Sequence, residues 1–93
     1  MDNDQVAIDA LRLVEQAGFK VALVGGWSRQ LLGLEPPRLH ADVDLVVTDA
    51  DLEVLDQWLD DHDEITAKRF PHKRAFRFLD TMVELHLVIR RPG

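Results

Sequence analysis

The sequence predicts an α/β protein, a mixed β-sheet with helices packed against it. Three observations point there: an apolar repeat of helical period near the N-terminus, a β-branched run that stops at Gly25-Gly26 before a helix-forming segment, and two alternating runs near the C-terminus. Across residues 5–17, Val6, Ile8, Leu11, Leu13, Val14 and Ala17 fall mostly at helical spacing. Asp2, Asn3 or Asp4 can cap the start of that helix, and Gly18 ends it. Residues 20–24 form a short strand, the glycines a turn, and residues 27–34 a second helix that stops before Pro36-Pro37. A loop over 35–41 carries Arg38 and His40. Residues 42–48 alternate as a strand with one apolar face. Asp49 or Asp51 then caps a third helix, running to about residue 61, with Leu52, Leu55, Trp58 and Leu59 on one side. Residues 64–69 suggest a weaker strand. Runs at 74–79 and 82–90, separated by Asp80-Thr81, suit an antiparallel hairpin.

The chain has 93 residues, enough for one compact domain, residues 1–93, without repeat or linker. Hydrophobic residues make up 46%, so a packed core is expected rather than disorder. Cysteine is absent, which excludes disulfides, thiolate zinc sites and thiol catalysis, and leaves oxygen and imidazole as metal ligands. That inventory fits a hard cation such as Mg²⁺. The acidic N-terminus has no basic flank before an apolar run, and no apolar stretch approaches ~20 residues, so no export signal or membrane partner is expected and the location is expected to be cytoplasmic. A net charge of −6 argues against nucleic acid as a partner of the whole surface, because that affinity comes mainly from Lys and Arg.

Side chains two apart on a strand share a face, so Asp42 and Asp44 project together while Val43, Leu45 and Val47 enter the core. At ~4 Å two such charges repel by about 1 kcal/mol in water and roughly 4 kcal/mol at an effective dielectric of about 20, and a divalent cation would reverse that cost. Alone, the pair reads more readily as solvated acids at a strand end. Its context adds weight. Gly25 and Gly26 stand between a strand and a helix, where free backbone N–H groups can receive phosphate oxygens, and Ser28 can add a hydroxyl. Mg²⁺ is commonly held by one or two carboxylates together with substrate phosphates. In the last alternating run, Glu84 and His86 fall on the face opposite Val83, Leu85 and Leu87, which offers a third carboxylate to share a metal or accept a proton. Arg29 and Arg38 are placed to meet phosphate. His40 and His86, beside the acids, can be ligands or proton carriers, and as often such a residue orients its carboxylates; neither is assigned a catalytic role. The basic stretch Lys68, Arg69, His72, Lys73, Arg74 and Arg77 can meet triphosphate or an anionic partner, although such a run is more often a solvated loop and strand face.

Val24-Gly25-Gly26-Trp27, then Arg38-x-His40-x-Asp42-Val43-Asp44-Leu45-Val46-Val47, and later Val83-Glu84-Leu85-His86, resemble the antibiotic nucleotidyltransferases of the lincosamide and aminoglycoside type, members of the DNA polymerase β-like superfamily. The resemblance implies a nucleotidyltransferase fold in which the glycine turn cradles a nucleoside triphosphate. It also implies Mg²⁺ bound by Asp42, Asp44 and Glu84, the last standing where those enzymes commonly have Asp. The expected activity is transfer of a nucleoside monophosphate, AMP from ATP, to a hydroxyl of a small-molecule acceptor. Catalytic roles fall to Asp42, Asp44 and Glu84, and nucleotide binding to Gly25, Gly26, Ser28, Arg29 and Arg38. Gln30 replaces an acid of that family, and its relatives extend further to build the acceptor pocket. These departures motivate the alternative of a non-catalytic nucleotide-binding or interaction module, a homo- or hetero-oligomer or one subunit of a two-component assembly.

Overall fold

A computed structural model describes residues 3–24 and 42–89. The expected second helix, and Gly25, Gly26, Trp27, Ser28, Arg29, Gln30, Arg38 and His40, lie outside the described residues.

The fold is α+β. Helix α1 (Asn3–Gln16) leads into β1 (Lys20–Val24), and β2 (Asp42–Ala50) into α2 (Leu52–Asp60). A 3-10 turn (Thr66–Lys68) precedes β3 (Lys73–Phe78) and β4 (Thr81–Ile89). The strands form one mixed sheet in the order β1-β2-β4-β3, with β2 and β4 parallel at its centre and antiparallel neighbours outside.

Alternation sets the layers. Val43, Leu45 and Val47 on β2 stand opposite Val83, Leu85 and Leu87 on β4, and all six are buried. Ala7, Ala10 and Val14 of α1, with Leu55 and Leu59 of α2, complete that core on one face of the sheet. The small alanines allow α1 to approach closely. Leu52 and Trp58 pack at the margin of the core, where Trp58 meets Phe76 edge-on at 5.3 Å between ring centroids and stacks on His62 at 4.0 Å.

Local chemistry fixes the ends. Gly18 takes φ +99° just after α1 and donates its N–H to the carbonyl of Glu15 at 2.9 Å, a left-handed exit that a Cβ would disfavour. Asp51 caps α2, its carboxylate accepting from the N–H groups of Glu53 and Val54 at 3.1 and 3.3 Å. Asp49 is an inserted residue in β2 with φ 58°, where the register with β4 shifts between Thr48 and Ala50. That bulge switches parity, so Ala50 is buried where simple alternation would bury Asp49.

Two sequence expectations are corrected. Residues 64–69 form no strand: Glu64 makes a single bridge to Phe76, after which the chain tightens into the 3-10 turn, with Lys68 N–H bonded to the Ile65 carbonyl. Pro71, just beyond the segment, has no N–H with which to continue a ladder. The hairpin turn lies one residue earlier than Asp80-Thr81. Phe78 pairs with Thr81, and the loop is Leu79-Asp80, both at positive φ (51° and 62°), the pattern of a type I′ turn. Among the described residues no helix is long and apolar enough to cross a membrane.

Truncating the fully buried Leu85 to Ala is expected to cost about 3 kcal/mol in urea unfolding. Replacing Leu79-Asp80 by Asn-Gly should stabilise by about 1 kcal/mol, since the same φ values then carry less strain.

Candidate functional site

The face of the sheet opposite the helices carries the chemistry. Alternation that buries Val43, Leu45, Val83 and Leu85 turns Asp42, Asp44, Glu84 and His86 the other way, where all four are half-buried. Register then decides which of them meet. Asp44 stands directly opposite Glu84 across the parallel β2 and β4 pair, and Asp42 opposite Met82. One ligand atom each from Asp44, Glu84 and His86 lies within 4.8 Å of the others, a spacing that could hold a metal ion. Asp42 is on the same face two residues away, and its charge is felt by Lys73.

His86 Nε2 is 3.0 Å from Asp44 Oδ1 and 3.9 Å from Glu84 Oε2. An ionised carboxylate has no hydrogen to give, so this contact assigns the proton to Nε2, which donates to Asp44. The same nitrogen cannot donate a proton and offer a lone pair to a cation. In this arrangement His86 orients Asp44 through Nε2, and its Nδ1 is the nitrogen that keeps a lone pair for a cation.

Lys73, which the sequence left open between an anion contact and a solvated face, stands on the acid face. β3 begins at Lys73, whose register partner is His86, and its Nζ is 2.8 Å from Glu84 Oε2. The bond to Glu84 raises the Lys73 pKa above its ordinary 10.5; partial burial opposes the shift, and the charges of Glu84, Asp44 and Asp42 add to it. Lys73 thus belongs to the acid face and is no solvated bystander. Its neighbour Arg74 points the opposite way, is 6% exposed, and donates through Nε to Asp56 Oδ1 of α2 at 2.9 Å. Counting alternation back from the core residue Phe76 would have found both: Arg74 shares its side, and Lys73 the side of Glu84.

Two carboxylates and an imidazole suit a divalent cation by donor type. The carboxylates favour a hard ion such as Mg²⁺ or Mn²⁺, and the imidazole tolerates Mn²⁺ better than Mg²⁺. Of the residues expected to bind nucleotide, Gly25, Gly26, Ser28, Arg29 and Arg38 are outside the described residues. The last residue of β1, Val24, is the register partner of Asp44. A surface depression lined by Gly18, Lys20, Asp49 and Val54 lies at the other end of β2 and includes none of these groups. Comparison with family models, curated proteins and solved structures finds no match to this chain.

Because Lys73 has a raised pKa when folded, the sign of its pH effect is fixed. Its pairing stabilises the fold fully below about pH 10.5, and that contribution is lost as pH rises through the raised value. Urea unfolding at pH 8 and pH 11 should show a larger loss at high pH in the wild type than in Glu84→Gln, and the Lys73 side-chain NMR titration should move down in the variant.

Proposed function

We propose that this chain is a divalent-cation-dependent nucleotidyltransferase, transferring AMP from ATP to a hydroxyl of a small-molecule acceptor. The observation that carries this reading is the in-register pairing of Asp44 with Glu84 on the face away from the core, with Asp42 on the same face and the end of β1 alongside. Acids so placed repel one another, and that repulsion has a use if a cation and phosphate are drawn between them.

In this reading Asp42, Asp44 and Glu84 hold Mg²⁺, and His86 fixes the orientation of Asp44. The bound ion would supply charge stabilisation to the phosphoryl group being transferred. Gly25, Gly26 and Ser28, with Arg29 and Arg38, are assigned the triphosphate. The acceptor oxygen attacks the α-phosphorus, the bond from that phosphorus to the bridging oxygen breaks, and pyrophosphate leaves in line. Glu84 accepts the hydroxyl proton, for which Lys73 must first release it. The Lys73 pair with Glu84 also gives substance to the alternative, a non-catalytic nucleotide-binding module, since it engages the carboxylate that catalysis would need.

Incubation with α-labelled ATP and Mg²⁺ across a panel of hydroxyl acceptors, the protein itself included, is expected to give a labelled product that Asp44→Asn reduces by about a hundredfold or more. Calorimetry supplies the binding arm: Mg²⁺ with ATP should bind the wild type and lose most of its affinity in Asp44→Asn. Equal binding to both proteins would remove the metal assignment, and binding without product would leave the binding module.

A further inference from the structure

We infer that Lys73 is the internal counter-ion of this site, its ammonium standing on Glu84 where a divalent cation would, so that the site resists the bare ion and accepts it together with an anionic phosphate ligand. The inference rests on the metal-and-triphosphate reading above and adds the regulation of that site.

Position comes first. Lys73 reaches Glu84 from β3, and the pair is sheltered: the side chains are 29% and 12% exposed, so solvent and salt screen their attraction less than on an open surface. The backbone of Lys73 is fixed from the opposite side. Its N–H and carbonyl both bond to Phe70, and the buried Arg74 guanidinium donates to the carbonyls of Lys73 and Phe70 while its Nε bonds Asp56. The strand end therefore stays in place while the four-carbon stem can swing, carrying a compact charge.

Charge decides which way it swings. Asp42, Asp44 and Glu84 bring negative charge to the face, and Lys73 bonds Glu84 at Oε2. A divalent cation on Glu84 competes for the carboxylate that Lys73 holds and repels the ammonium, so uptake of the bare ion draws Lys73 off Glu84. A triphosphate changes that exchange, because its oxygens give the displaced ammonium a partner close by. Binding of cation and anion is then coupled through one side chain, and the coupling is reciprocal.

The test uses Mn²⁺ on the full chain, first alone and then as its preformed complex with α,β-methylene-ATP, by calorimetry and by the EPR signal of free Mn²⁺. Lys73→Met, with Lys73→Gln beside it as a polar second variant, should bind bare Mn²⁺ about tenfold tighter than the wild type and the nucleotide complex about tenfold weaker. Lys20→Gln, which removes an exposed charge near Asp49, should change neither. Bare-ion affinity that is unchanged or weaker in both Lys73 variants overturns the inference, as does an equal gain in Lys20→Gln. Binding of Mn²⁺ to neither the wild type nor the variants, in either form, would overturn the reading of the site itself, and this inference with it.

Discussion

The parallel register between β2 and β4 is the constraint on which the rest depends. Side chains alternate along both strands, so one alignment does two things: it sets Leu45 against Leu85 inside and Asp44 against Glu84 outside. A slip of one residue would turn carboxylates toward the helices and valines toward solvent. Core packing therefore protects the acid arrangement, since the buried leucines and valines hold the register at which the acids meet. The outer pairs, β1 on β2 and β3 on β4, extend the sheet without altering this relation.

β3 contributes charge to both sides of that sheet through consecutive residues. Arg74 passes to the helix side, where Asp56 partners it, and Lys73 to the other, where Glu84 does. A guanidinium this deeply buried would be costly without a carboxylate and carbonyls to satisfy its donors. Arg74 finds both in Asp56 and in the carbonyls of Phe70 and Lys73, which ties the segment before β3 to α2. Arg69, paired with Glu64 and near Asp56, closes the same segment from outside.

Much of the fold could be read from residue spacing, and the exceptions have identifiable physical causes. Alternation at Val43, Leu45 and Val47 and at Val83, Leu85 and Leu87 identified the central strands, and of the two caps offered, Asp49 and Asp51, it is Asp51 that starts α2. The hairpin turn was displaced by one residue because Leu79 is not a turn former and adopts positive φ under the demand of its neighbours. Residues 64–69 have strand-like composition, but a strand needs a continuous partner, and only Glu64 finds one, in Phe76. For the candidate site, spacing showed that Asp42 and Asp44 share a face. That Asp44 rather than Asp42 stands opposite Glu84 depends on a register between distant strands, which no local pattern contains. Lys73 was obscured by its basic neighbours, although its parity with Glu84 was available.

The Leu79-Asp80 turn bears on the order in which this sheet assembles. Two residues with full side chains at positive φ make a poor nucleus, so the β3 and β4 hairpin gains little stability on its own. Its support comes from β2, and residues in contact across that seam, such as His86 and Asp44, are 42 positions apart in the chain. Long-range pairing is kinetically slow, because chain entropy is lost before the contacts that compensate for it are formed. Bringing the acids together therefore requires the long-range step of this sheet's assembly. A chain held short of that step can contain α1 and α2 and still lack the constellation that distinguishes the native protein.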